Sequence, residues 1–249
     1  MVERVWGKDH LPFPMPDRGW SLRQNWINLT FLHWEVTPEK IEKYIPNGLE
    51  LDLFNGKAYV GTIPFIMEKV RPRYLPSLPN ISTFPEFNIR TYVKKNGKAG
   101  VLFLTLEAQS HMTCKFAPWA YGLPYIYAKS KVVISEDGGY EWYSKRKSNG
   151  IILKGRSKAI GEIREAQKGT LEEFLFERYC LYVEYKDELK IAHTQHAPWK
   201  FQDGIANIED NTLTEFYNLG IANCLSPEYV HVTKGVKVRT WSLEGVKEE

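Results

Sequence analysis

The sequence predicts a mainly β chain with a few short helices. Two observations carry that reading. Short runs that alternate apolar and polar residues recur between turn signals, as strands do. Aromatic residues make up 14% of the 249 residues, a usage that favours strands around an apolar interior. No repeat of fixed period and no low-complexity linker divides residues 1–249, so one domain is expected, preceded by an irregular arm over residues 1–20 that is rich in proline (Pro12, Pro14, Pro16). So many strands must hide their edges, and a closed or nearly closed barrel is the natural way to do so.

The elements follow in order. "NWINLTFLHWEV" (25–36) reads as a long strand. In "TPEKIEKYIP" Thr37 caps a short helix, Pro38 suits its first turn and Pro46 ends it. "LELDLFNGKAYVGTIPFIMEKV" (49–70) reads as two strands joined through Asn55-Gly56, a hairpin signal. A proline-rich, lid-like loop comes next (71–85). "FPEFNIRTYV" (84–93) is a strand that pairs with "GVLFLTLEAQS" (100–110) across Asn96-Gly97. "WYSKRKS" and "GIILKGRSKAIGEIRE" suggest two more strands. "TLEEFLFERY" begins a helix with Thr170 and Glu173 three apart, a capping box, and passes into the strand "YCLYVEY". "LKIAHTQHAPW", a helix around "NTLTEFYNLGI" and a final "EYVHVTKGVKVRTWSL" complete the chain.

Charge and composition exclude several classes. A net charge of +3 is too small for a nucleic-acid footprint, and the basic cluster between Lys145 and Lys158 reads as a solvated edge. The start of the chain has no long apolar run, so neither secretion nor a membrane anchor is expected. Three scattered cysteines (Cys114, Cys180, Cys224) without a CxxC pair fit a reduced, cytoplasmic setting. No GxSxG elbow, Walker loop or strand-linked GxGxxG is present. Of six histidines, His193 and His196 fall on opposite faces of an extended segment, where they cannot converge on a metal, so neither metal nor cofactor is expected. His33 in "FLHWEV" reads as a packed histidine with one satisfied nitrogen.

The sharpest feature is the strand at 84–93. Side chains alternate across a strand, so Glu86, Asn88, Arg90 and Tyr92 share one face, and Phe87, Ile89, Thr91 and Val93 the other. Four hydrogen-bonding groups in a row form either a solvated face or the wall of a site. Glu86 and Arg90 stand roughly 13 Å apart at about 3.3 Å per residue, a span that suits a small polar molecule held from two ends.

Several segments together resemble the YqjF-like group, also called domain of unknown function 2071: "FLHWEVTPEKIEKYIPNGLELDLFNGKAYVGTIPF", "FPEFNIRTYV", "GVLFLTLEAQS", "GLPY", "ERYCLY" and "HAPW", in order from Phe31 to Trp199. That group is similar to the acetoacetate decarboxylase superfamily, whose fold is a cone-shaped closed β-barrel around a small-molecule cavity. The resemblance implies that Glu86 stands where those enzymes keep a catalytic glutamate and that Pro124 stands on the proline of their "YPKK" element. It also exposes a departure. The lysines that follow that proline, one forming the Schiff base and the other depressing its pKa, are replaced by Tyr125 and Ile126. "WIN" stands near the position of the decarboxylases' substrate-side arginine, and Lys129 and Lys131 lie downstream, where strand-edge lysines are usually solvated.

The expectation is therefore a cavity that takes a small organic acid or carbonyl compound without an imine. Glu86 and Tyr125 are the candidate catalytic pair. Asn88, Arg90, Tyr92 and His33 are the candidate substrate-binding set. A lyase or isomerase step on a small oxo acid, a non-catalytic binding protein and a structural protein all remain open, as does homo-oligomer formation.

Overall fold

A computed structural model describes residues 7–79 and 81–246. The expected arm falls partly outside these residues, since 1–6 are not among them; residues 7–21 carry neither helix nor strand. The chain is mainly β. Its strands are β1 (Leu22–Val36), β2 (Glu50–Leu51), β3 (Ala58–Pro72), β4 (Phe84–Lys95), β5 (Lys98–Ala108), β6 (Tyr125–Ile134), β7 (Tyr140–Arg146), β8 (Ile152–Glu165), β9 (Cys180–Tyr185), β10 (Glu188–Gln195), β11 (Lys200–Asn211), β12 (Tyr229–Thr240) and β13 (Glu244–Gly245). Among the described residues four short helices interrupt them: α1 (Pro38–Glu42), α2 (His111–Tyr121), α3 (Leu171–Phe176) and α4 (Thr212–Glu215). No helix among the described residues is long and apolar enough to cross a membrane.

All the strands join one sheet in the order β13-β10-β9-β5-β6-β7-β8-β11-β12-β1-β3-β4-β2, with additional β4–β5 and β10–β12 pairings. Neighbours are antiparallel except β5–β6 and β5–β9. A parallel pair needs a crossover, and between β5 and β6 that crossover is α2. Ser110 caps α2 by accepting the Thr113 N–H at 3.2 Å, and Gly122, in the left-handed region at φ 60°, ends it.

The Asn55-Gly56 turn forms, with both residues at positive φ (51° and 79°). The strand expected before it does not pair with β3. Only Glu50–Leu51 is extended, and it pairs with β4 instead. Thr37 occupies the cap position of α1, but its side chain makes no capping hydrogen bond. At α3 the Thr170 hydroxyl accepts the Glu173 N–H at 3.4 Å, while the Glu173 carboxylate reaches the Gly169 N–H at 2.6 Å.

Both faces of the central strands are covered. Phe87 and Ile89 of β4 join Trp34, Trp142 and Leu153 in one apolar core. Tyr92, on the opposite face of β4, joins Phe31, Phe65, Phe176, Trp199 and Phe201 in another. Burying two faces makes β4 a wall with two interiors, and its polar row must find partners inside the protein.

Candidate functional site

Burial decides the question raised by the polar row. Glu86, Asn88, Arg90 and Tyr92 are 2%, 4%, 9% and 0% exposed. The solvated-face alternative is therefore wrong for these four residues. Their partners divide them into two groups along the strand.

The first group surrounds Glu86. β4 pairs with β5, and β5 with β6, so Asn88, Leu106 and Tyr125 lie on one rung. From there the Tyr125 hydroxyl donates to Glu86 Oε2 at 2.7 Å, and Asn88 also hydrogen-bonds the carboxyl. Burial pushes the Glu86 carboxyl from 4.5 up to about 7, with the bonds from Tyr125 and Asn88 pulling the other way. Burial and the nearby carboxyl raise the Tyr125 phenol well above its usual 10. Asn88 Oδ1 is buried without a partner among the described residues. Cys114 of α2 lies near both Glu86 and Tyr125, its thiol raised to about 11 chiefly by burial. A carboxyl near 7 beside a neutral phenol can release or accept a proton at neutral pH.

The second group surrounds Arg90. Its Nη2 donates to the Leu175 carbonyl at 3.0 Å, and the Tyr92 hydroxyl donates to the same oxygen at 3.1 Å. His33 Nε2 lies 2.7 Å from the Tyr92 hydroxyl, while His33 Nδ1 and Arg90 Nε are buried without partners among the described residues. Burial, then Arg90, then His231 hold the His33 imidazole well below its usual 6.5, so it is neutral. Among the described residues no carboxylate forms an ion pair with Arg90, an uncommon state for a buried cation. Gly61 explains how His33 and Arg90 share one rung. It lies between them in register, and a Cβ there would sit 2.7 Å from His33 Nε2.

Other candidates lie elsewhere. Lys129 and Lys131 are exposed. His193 faces Glu244 at 3.2 Å, whereas His196 stacks on Tyr179. Among the described residues no group of three His, Cys, Asp or Glu side chains could hold a metal. Two surface clefts, of about 570 and 440 Å³, are lined by residues other than the six candidates.

Sequence reasoning missed Gly61, Cys114 and the Leu175 carbonyl. The Ser110 and Gly122 caps were the available signal for α2 and so for Cys114. A main-chain carbonyl that closes on a site leaves no signal in side-chain spacing.

A family profile described as DUF2071, an uncharacterized conserved protein, matches residues 23–237. The chain belongs to this family. Over 246 residues it is 35% identical to the uncharacterized protein YqjF of Bacillus subtilis strain 168, covering 98% of both chains. Solved structures of similar fold include an acetoacetate decarboxylase from Legionella pneumophila, at TM-score 0.65 and 14% identity, covering 95% of this chain and 92% of that one. The enduracididine biosynthesis enzyme MppR complexed with pyruvate superposes with TM-score 0.58 and 12% identity, covering 94% and 91%. An acetoacetate decarboxylase-like enzyme from Sphingomonas wittichii RW1 gives 0.57 and 12%, covering 96% and 99%. At these identities the structural neighbours define the fold of this DUF2071 member as acetoacetate decarboxylase-like, and nothing finer.

Proposed function

We propose that this family member binds a small oxo acid or related carbonyl compound between Glu86 and Arg90, and moves a proton on it without forming an imine. The observation that carries the reading is the Glu86–Tyr125 pair, a fully buried carboxyl near pH 7 hydrogen-bonded to a phenol where the decarboxylase resemblance expects lysines. Glu86 takes a proton from the carbon next to the carbonyl, and Tyr125 donates to the oxygen that becomes negative. Arg90 holds the acid's carboxylate, for which its planar fork is shaped. Asn88 Oδ1, a free acceptor, takes the O–H of the enol that forms when Tyr125 protonates the oxygen, and Tyr92 and His33 set the position of the Arg90 end.

The β4–β5 pairing supports a barrel, because the order β5-β6-β7-β8-β11-β12-β1-β3-β4 then returns to its start. We read the chain as a single cytoplasmic domain of this form. Pyruvate, named with one of the structural neighbours, is a suitable first probe, with acetoacetate beside it. In D2O the wild-type protein should exchange the pyruvate methyl protons for deuterium, and Glu86→Gln should slow that exchange by roughly 100-fold or more while pyruvate still binds. Equal exchange rates in the two proteins would remove Glu86 as the base.

A second reading, a non-catalytic binding protein, draws on the Arg90 end. There the donors already converge on one oxygen, that of Leu175, and binding alone needs nothing from Glu86. Saturable binding with no exchange above solvent rates would favour it.

A further inference from the structure

The Arg90 end is closed by main chain. Leu175 lies in the last turn of α3, a helix of six residues. The last four carbonyls of a helix have no partner within it, and Arg90 and Tyr92 supply the partners of this one. The fit is incomplete. The carbonyl takes only Nη2, while Nε of the same guanidinium is buried with no acceptor. A carboxylate could take both at once, in charge-assisted bonds about twice as strong as those to a neutral carbonyl. The Leu175 oxygen thus occupies the place of a better acceptor.

What lies behind α3 gives this a direction. The cleft of about 570 Å³ opens between Pro12 and Phe13 of the arm, the β4–β5 turn and α3. Phe174 and Arg178 line it. Both also rest on Tyr92: the Phe174 ring lies 5.0 Å from the Tyr92 ring, and the Arg178 guanidinium stands 5.0 Å over it. One layer of side chains therefore separates the open cleft from the hydroxyl that holds Leu175. A helix this short has little stability of its own and depends on its contacts. Arg178 is anchored to Asp52 at 2.6 Å and pins the Phe174 carbonyl, also at 2.6 Å, so what is left to move is the half-buried Phe174 ring, on which Arg178 only stacks, and the Leu175 carbonyl beyond it.

We propose that this cleft is the mouth of the Arg90 site and that Phe174 and Leu175 form its gate, opened when a small carboxylate takes the place of the Leu175 carbonyl on Arg90 and Tyr92. The inference rests on the binding reading above, and adds the route of entry and a residue that controls it. Phe174 then selects by size, since its ring must swing aside for anything longer than the smallest oxo acids.

The test is the association rate of pyruvate, followed by stopped-flow tryptophan fluorescence. Trp199 is the reporter, because it packs at 5.3 Å against Phe31, the ring under Arg90. Wild type, Phe174→Leu, Phe174→Ala and Arg90→Met are compared. Phe174→Leu keeps apolar packing, so it guards against a folding defect in the alanine variant. Association should quicken in the order Phe, Leu, Ala, by roughly 10-fold for alanine, because a gate lowers the fraction of molecules competent to bind. Arg90→Met should show no saturable signal. Equal association rates in the three Phe174 proteins, with binding still lost in Arg90→Met, would overturn the gate and leave the site standing. Pyruvate binding to Arg90→Met as tightly as to wild type, or to none of the four proteins, would overturn the site and the gate together.

Discussion

Glu86→Gln should make the protein more stable at alkaline pH and leave it nearly unchanged in acid. Burial moves this carboxyl from 4.5 to about 7, and each pH unit of such displacement is worth about 1.36 kcal/mol. Ionising Glu86 in the folded protein therefore costs about 3 kcal/mol more than ionising it in the unfolded chain. The side chain is 2% exposed, so solvent screening removes little of this. The folded-state value is the higher one, so between pH 4.5 and about 7 the folded protein keeps a proton that the unfolded chain has lost. The stabilisation from that proton is complete below pH 4.5, falls as pH rises through the window, and is gone above pH 7. Glutamine never ionises and never loses it. Urea unfolding of both proteins at pH 4.5 and pH 8.5 gives the comparison, and the difference between the two pH values cancels whatever the substitution does to packing. The expected result is a gain of about 3 kcal/mol for Glu86→Gln at pH 8.5 relative to pH 4.5. A gain under about 1 kcal/mol would mean that Glu86 titrates as an ordinary carboxyl, and the acid–base reading would fail with it.

Tyr125→Phe removes a bond that favours ionised Glu86. At about 1.5–3 kcal/mol for a bond to a charged group, the Glu86 carboxyl should move up by about one to two further pH units, read from the pH dependence of its carbonyl stretch. Arg90→Met should leave the unfolding free energy within about 1 kcal/mol of wild type or raise it, because no carboxylate is stranded and the Leu175 oxygen keeps Tyr92. A loss above about 3 kcal/mol would make Arg90 a structural residue. Gly61→Ala places a Cβ 2.7 Å from His33 Nε2 and should cost about 1–3 kcal/mol through overpacking, with the His33–Tyr92 bond displaced in the imidazole NMR signals. Glu107→Gln strands Arg146, its buried partner at 3% exposure, and should cost about 3–5 kcal/mol, much of it recovered when Arg146 is also replaced by methionine.

How far the sequence reached differs from element to element. The row Glu86-Asn88-Arg90-Tyr92 was legible because strand alternation is local; that both faces of β4 are buried was not, since it depends on what packs on each side. The Glu86–Tyr125 bond needs the β5–α2–β6 crossover. "HMTCKFAPWAY" hides that helix behind Pro118, although Ser110 and Gly122 mark its ends. The hairpin expected at Asn55-Gly56 closes over one bridge, Phe54 with Lys57, and goes no further. The turn chemistry was right, yet Asp52 is drawn away to Arg178, and its N–H bonds the Tyr92 carbonyl. β11 escaped notice because register shifts at Phe201/Asp203 and Ile208/Asp210 break its alternation.

Titration of 2-oxo and 3-oxo acids into wild type and Arg90→Met, with tryptophan fluorescence as readout, bears most directly on whether a small-acid site exists on β4. Saturable binding of at least one oxo acid to wild type, lost in Arg90→Met without loss of stability, is the result expected from a buried guanidinium with a free donor. Binding that survives in Arg90→Met, or no saturation with any acid in wild type, would return Glu86, Asn88, Arg90 and Tyr92 to the role of a buried structural network.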